Sequence, residues 1–524
     1  MPPENTTNGI APLIKGIFEG IKGRTNNLGP VGENETLVQV NSLTSTAGTL
    51  YEKFRYLLDY KDEHAIKRSA VARILKRKLL IEGTTDIGLS LLQELITGGY
   101  LPNKSIPERI SVRVQAVVNP YILLHSKVRD LPGADTMIVG FAASEVSRFL
   151  FPTTVDEAVL NAYFLDVRDR VKVNFDIAPD ELDTAIYTAC RRGLLREDND
   201  LLGYALWLRF SKWSGAMQTE DIDILAQHFG VIQQRVKGAL KRPLGWELVS
   251  KLKNYSIYFA VLHEVIERYG MEAETVLKDR GYVDKTVREI LTGHYKKENS
   301  RTTRSAIRAI IYIFCTKLIL AFILEFPYDY YVLGSINYIP LGVNVLFHPV
   351  LLFVMTRIRP LGDNNTSRIL GGLHKIIRGD DHKLLKIKRA SHGALSTFFT
   401  LLYLGLFLIC FGILITFLIQ VQFNWVGIIL FLFFLTLVSY FGLRIRHNAK
   451  RWQVRSEDEG TISLLWGVFT LPIIRAGQWL TRTFASINIF VFFMDFIVEA
   501  PFKLVLGISD AFTSFLREKR EETF

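Results

Sequence analysis

From Leu43 to Ser300 apolar residues recur at helical spacing. Tyr51, Phe54, Leu57 and Leu58 form one such face, and Ile66, Ala70, Ile74, Leu75 and Leu79 form another. Four helices read as ending in Gly followed by an apolar residue, at Gly99-Tyr100, Gly193-Leu194, Gly230-Val231 and Gly281-Tyr282. Glycine adopts the left-handed C′ conformation without strain, and the apolar residue after it closes a Schellman stop. Restarts follow at Pro107, Glu197 to Asp200, Gln233 and Asp284, so the pattern predicts stacked αα-hairpins, about ten helices. Val171–Phe175 reads as a short strand. Ahead of this region, Gly9–Lys22 sets Ile10, Leu13, Ile14, Ile17, Phe18 and Ile21 opposite Lys15, Glu19 and Lys22, an amphipathic helix. Gly16 and Gly20 weaken it by roughly 1 kcal/mol each, so it needs a surface to fold on. A membrane interface and the protein's own helical domain are equally good candidates. Residues 23–42, rich in Gly, Asn, Thr and Glu, read as a flexible linker.

After Ser300 the pattern changes. Ala390–Leu443 runs for 54 residues without Lys, Arg, Asp or Glu. A bilayer core takes roughly 20 helical residues per crossing, so the stretch divides into Leu395–Ile419 and Trp425–Leu443, joined by Gln420 to Asn424. Basic runs at Lys383–Arg389 and Arg444–Arg451 put both feet of this hairpin inside. Two earlier spans are expected at Ala309–Leu324 and Tyr331–Met355. The first has Arg301, Arg304 and Arg308 before it and Glu325 and Asp329 beyond its outer end, and Arg357 and Arg359 close the second. The loop 357–392 contains Ile369, Leu373, Ile376 and Ile377 on one face of a basic helix, expected to lie on the inner leaflet. Its Lys375, Arg378, Lys383, Lys386, Lys388 and Arg389 are candidate contacts for anionic lipid headgroups.

The last apolar stretches, Ile462–Leu480 and Ile487–Ile508, each carry a polar stripe. As an antiparallel pair turning near Ala485 they would set Arg475 beside Asp495 and Glu499, an ion pair in the membrane. As interfacial helices each would turn its stripe to water. Arg482 at an outside turn would violate the positive-inside rule, which favours the interfacial or re-entrant reading. The count is four spans, or six, and either number returns the Arg517–Glu522 tail to the inside. The expected plan is all-α: an amphipathic helix and linker (1–42), a cytoplasmic multi-helix αα-hairpin domain (43–300), a polytopic four-span membrane domain (301–460), and C-terminal amphipathic or re-entrant helices with a charged tail (461–524).

Charge and cysteine usage sharpen this plan. Of the net charge of +11, residues 351–450 hold 12 Lys/Arg against three Asp, at the feet of the spans. Residues 51–300 are near neutral, so that domain is no basic glove for nucleic acid. Cys190, Cys315 and Cys410 form no CxxC pair, which fits a reducing compartment. The N-terminus lacks the basic n-region of a secretory signal. The expectation is a multi-pass protein of the cytoplasmic (inner) membrane with both termini inside.

Candidate chemistry concentrates in the second span. Asn337, Asn344 and His348 fall at i, i+7 and i+11, with Pro340 and Pro349 interrupting the backbone, and Lys317 sits mid-span in the first helix. Polar groups in hydrocarbon are costly and face the bundle interior. They line a substrate or ion path, or they hydrogen-bond helix to helix at roughly 1 kcal/mol per bond. Elsewhere His263-Glu264-x-x-Glu267 lacks the second His of a zinc motif, and no P-loop, GxGxxG or GxSxG occurs, so neither an enzyme nor a cofactor is expected. Ile224–Lys241, with Ala226, Gly230, Val231 and Val236, resembles a helix-turn-helix. That resemblance implies phosphate contacts from Arg235, Lys237, Lys241 and Arg242. Leu277, Gly281 and Val287 repeat the spacing without a basic helix, which points to a turn habit of this domain.

The leading functional expectation is a non-enzymatic, membrane-anchored interaction or scaffold protein whose helical domain binds another protein at the inner leaflet. The alternatives are a transporter or channel subunit, oligomeric, using Lys317, Asn337, Asn344 and His348, and a membrane-tethered DNA-binding protein. Transport predicts a hydrated polar stripe. Interaction predicts a dry one, and an isolated 43–300 domain that still captures its partner.

Overall fold

The computed structural model describes residues 10–22, 35–41, 63–214, 217–357, 362–380, 383–387, 394–454 and 461–486. The face Tyr51–Leu58, Lys388, Arg389, Asp495, Glu499 and the stretch Ile487–Ile508 lie outside those residues. Helix makes up about 81% of the structure, so the fold is all-α. Its described residues divide into two compact units, one within Met1–Asp279 with Leu373–Ile387, the other within Arg280–Gly372 with Lys388–Met494.

The N-terminal unit contains α1 (Pro12–Lys22), α2 (Glu63–Lys76), α3 (Gly88–Thr97), α4 (Arg109–Val128), α5 (Ala134–Leu150), α6 (Thr154–Arg170), β1 (Val171–Val173), α7 (Pro179–Leu194), α8 (Asn199–Ser211), α9 (Thr219–Lys241), α10 (Pro243–Lys251), α11 (Lys253–Tyr269) and α12 (Ala273–Lys278). Its core gathers the buried rings of Tyr121, Phe141, Trp207, Trp213 and Phe229 from α4, α5, α8, α9 and the α8–α9 connection. Buried Arg191 ties α6 to α7 and the segment beyond it. Its guanidinium donates to Glu197 at 2.6 and 2.7 Å and to Glu157 at 2.7 and 3.2 Å. Such forked, charge-assisted bonds fix geometry as well as energy.

The amphipathic helix α1 docks on α6 of this unit, burying Ile14, Ile17 and Phe18. Three such side chains contribute roughly 5–9 kcal/mol as an upper bound, enough to outweigh its two glycines. The second half of the expected linker is also bound: Val38 N donates to Ile106 O, Glu108 N to Thr36 O (both 2.9 Å), and Val38 is buried. Gly99 (φ 74°) makes the expected Schellman stop, with Tyr100 N on Leu95 O. The other three do not stop a helix. Gly193 lies within α7 because α11 approaches it closely: a Cβ there would meet Ser256 Oγ at 2.3 Å. Gly230 lies within the uninterrupted α9, and Gly281 within the helix that follows α12.

That continuity of α9 overturns the helix-turn-helix resemblance. A recognition helix needs a turn before it, and Phe229, Gln233 and Val236 are instead buried on one side of a single helix. Arg235 is drawn to Asp180 (3.1 Å) and Arg242 to Glu181 (2.8 Å).

The expected strand is present as β1, and its partner comes from the basic loop. β2 (Leu385–Ile387) pairs with it in parallel, Val171 opposite Leu385 and Val173 opposite Ile387. Within the same unit Ala11 N donates to Ile377 O at 2.8 Å. Ile369, Leu373, Ile376 and Ile377 are all buried in protein. The apolar face expected on the inner leaflet is therefore already covered, while Lys375, Arg378, Lys383 and Lys386 remain exposed.

The second unit holds α13 (Arg280–Leu320), α14 (Tyr338–Thr356), the first part of α15 (Asp363–Arg378), α16 (Ala394–Gln420), α17 (Trp425–Ala449) and α18 (Thr461–Ser486). Four of its helical segments are long and apolar enough to cross a membrane: Arg280–Leu333, Tyr338–Thr356, Thr400–Gln420 and Trp425–His447. Large apolar side chains such as Phe322, Tyr331, Phe353, Leu404 and Ile413 point outward, the inside-out surface that lipid accepts. α18 packs along α17, with Gly477 against Thr436 and Tyr440. Arg475 stacks on the Tyr403 ring, 5.1 Å from its centroid. At one end of the unit Asn365 donates to Tyr295 Oη and Trp452 O (both 2.8 Å) and accepts from Val454 N (3.0 Å), fastening α15 to α13 and the chain after α17.

Candidate functional site

The first span does not end at Leu324. α13 continues through a π turn at Ala321–Glu325, a short α stretch at Phe326–Tyr328 and a second π turn at Asp329–Leu333, before Gly334 (φ 67°) terminates it. In an unbroken α-helix Asp329 would lie about 120° round the axis from Lys317. A π turn absorbs about one extra residue, roughly 100° of phase, and returns Asp329 toward the Lys317 side. The carboxylates expected beyond the outer end of the span are consequently turned inward, Glu325 to 4% and Asp329 to 5% exposure.

They join a cluster built from three helices. The Lys317 ammonium donates to Asn344 Oδ1 (2.5 Å) on α14 and to Leu430 O (3.4 Å) on α17, and sits 4.4 Å above the Phe434 ring. Asn344 Nδ2 donates to Glu325 Oε1 and to Gly427 O (3.5 Å). The Asn344 amide thus bridges an ammonium and a carboxylate, and its orientation is dictated, since Lys317 can only donate. One turn on, the His348 ring lies between two carbonyl oxygens, Nδ1 3.1 Å from Asn344 O and Nε2 3.0 Å from Phe431 O. Asp329 accepts from Asn424 Nδ2, and Asn424 Oδ1 accepts from Gly427 N (2.5 Å). Lys317, Asn344 and His348 are 0–1% exposed.

Of the sequence-predicted residues, Lys317, Asn344 and His348 come together. Asn337 does not: α14 starts after it, and it bonds Gln422 (3.1 Å) in a half-buried position. Glu325, Asp329 and Asn424 were missed. The signal available was the spacing Lys317, Glu325, Asp329 along one helix, but only the π turns give it meaning. Two grooves in this unit, of about 620 Å³ along the outer face of α14 and about 440 Å³ among α16, α17 and α18 beside Arg475, are lined by none of the cluster residues. Among the described residues no group of His, Cys, Asp and Glu could hold a metal ion. In the N-terminal unit His263 Nε2 lies 2.5 Å from Asp156 Oδ1. Burial disfavours the charged ring there, but the bond to Asp156 and its charge prevail, so the His263 pKa is raised.

No family model, no curated protein and no solved structure matches this chain.

Proposed function

We propose that the chain is a multi-pass protein of the cytoplasmic membrane, both ends inside, that acts through its N-terminal helical unit as a membrane-anchored interaction module. The observation that supports this most is the closure of the polar cluster. Lys317, Asn344 and His348 are buried and bonded to neighbouring helices, which suits a lock between spans better than an open path. The N-terminal unit is large, has its own core and incorporates α1 and β2. Its partner is another protein at the inner leaflet, where exposed Lys375, Arg378, Lys383 and Lys386 favour anionic headgroups. Single Cys replacements at Asn344 and His348, with controls at Ser396 and Thr400 and with Cys315 and Cys410 changed to Ser, test it in intact membranes. Buried Cys190, its thiol pushed up by desolvation, stays silent. The two cluster sites resist a small water-soluble thiol reagent while the controls react. Rapid labelling of the cluster sites, with protection by a solute, would overturn the reading.

A second reading, a transporter or channel subunit in a closed state, is favoured by the number of ionisable groups in the cluster. Helix packing alone needs no charge, and apolar side chains of similar size hold helices equally well. The same labelling experiment separates the two.

A further inference from the structure

We propose that the cluster of Lys317, Glu325, Asp329 and His348 is a proton-binding site that carries one exchangeable proton in the folded protein. The inference rests on the geometry of the cluster and holds under either functional reading. Two carboxylates, Glu325 and Asp329, are buried within one turn of each other, and a single ammonium, Lys317, reaches Glu325 through the Asn344 amide. With His348 neutral the cluster has a net charge of −1 inside the bundle. Uncompensated buried charge is the most expensive state available to it, so a proton from solvent is taken up to reach neutrality.

The groups around the site agree. From α17 and the residue before it, the site meets Asn424, the rings of Phe431 and Phe434, and the carbonyls of Gly427, Leu430 and Phe431. These are acceptors, an amide and apolar rings, with no cation to replace the proton. α14 contributes Asn344 and His348. Arg475 of α18 stacks on Tyr403 of α16. A protonated Glu325, with the second buried carboxylate of Asp329 one turn on, is the proton's resting place. The titration belongs to the cluster as a whole.

The sign of the effect is fixed. Above about pH 6.5, where the unfolded His348 has also lost its proton, the folded state holds one proton that the unfolded chain has released, so folding weakens as pH rises, by up to about tenfold in the unfolding constant per pH unit. The test is reversible unfolding of the full-length protein in mixed micelles from about pH 6.5 to 8.5, above the unfolded His value, where the cluster alone sets the difference in bound protons. The Glu325→Gln chain reaches neutrality without the proton, so its unfolding constant loses the extra tenfold-per-unit rise seen in the parent. Asp329→Asn does the same if Glu325→Gln fails to fold. Lys317→Met leaves two uncompensated carboxylates and makes the rise steeper. The His263–Asp156 pair titrates identically in every chain and cancels in the comparison. Equal slopes in the parent and both amide variants, or no slope in the parent beyond that pair, overturn the proposal.

Discussion

Replacing Asn344 by Leu asks what the bridge between Lys317 and Glu325 contributes. If the amide were only one interhelical hydrogen bond among many, its loss would cost about 0.6 kcal/mol, the average for such bonds in membranes. The geometry argues for more. Asn344 Oδ1 accepts from Lys317 and Asn344 Nδ2 donates to Glu325, so one substitution strips a partner from a buried ammonium and a buried carboxyl group. Breaking a buried ionic arrangement from one side costs about 3–5 kcal/mol. A second chain supplies the control. Lys317→Met, Glu325→Met and Asn344→Leu together remove the ammonium, one carboxylate and the bridge while leaving the net charge of the cluster unchanged. Apolar replacement of a whole buried ionic group is often neutral or stabilising by about 1–4 kcal/mol. Unfolding of the purified full-length chain in SDS mixed micelles, followed by tryptophan fluorescence, reads both. The single variant falls by several kcal/mol and the triple variant recovers most of it. A single variant within 0.6 kcal/mol of the parent, or a triple variant as weak as the single, refutes the bridging role.

Phe18→Ala removes the largest buried side chain of α1 and costs about 3–5 kcal/mol; limited proteolysis should then cut within residues 12–22, which stay protected in the parent. Raising pH through the elevated His263 pKa loses stability that is fully present below about 6.5, the unfolded value. Asp156→Asn removes that dependence, as followed by thermal melting across pH. Gly477→Ala sets a Cβ 2.0 Å from the Thr436 carbonyl oxygen and weakens the α17–α18 contact by about 1–3 kcal/mol or more. Gly412→Ala in α16, with open space around it, is the neutral control in the same unfolding assay.

Features that depend on one stretch of chain were legible, and features that depend on phase or on distant partners were not. The uncharged run from Ala390 to Leu443 announces its hairpin because hydrocarbon admits little else. Gly99 and Gly230 look alike in sequence, each followed by an apolar residue. Yet Gly230 stays helical because Phe229, Gln233 and Val236 around it are buried, and one helical glycine costs only about 1 kcal/mol. β1 was visible as a β-branched run, but its partner lies some two hundred residues on, in a loop whose charge suggested lipid. Lys317, Asn344 and His348 were legible because polar residues in an apolar run are conspicuous. Glu325 and Asp329 sit where a positive-inside argument expects acidic residues, and ordinary helical phase hides their inward turn.

The same distinction bears on what counts as the N-terminal domain. The boundary drawn from periodicity, 43–300, omits α1 and the segment 373–387, and both belong to its compact unit. Ile14, Ile17, Phe18, Ile377 and Ile387 are each at most 4% exposed. At roughly 1.5–3 kcal/mol per buried side chain they contribute on the order of 10 kcal/mol as an upper bound. That is comparable to the whole stability of an ordinary domain, about 5–15 kcal/mol. A fragment of residues 43–300 should therefore lack a cooperative urea transition, and a pull-down with it would fail for reasons unrelated to the partner. Residues 1–279 joined through a flexible linker to 373–387 should restore a single transition, because β2 can then pair with β1 and Ile377 O can again accept from Ala11 N. If 43–300 alone unfolds cooperatively at the same midpoint as the joined fragment, α1 and the loop are ornaments on a core that stands without them, and the burial arithmetic fails.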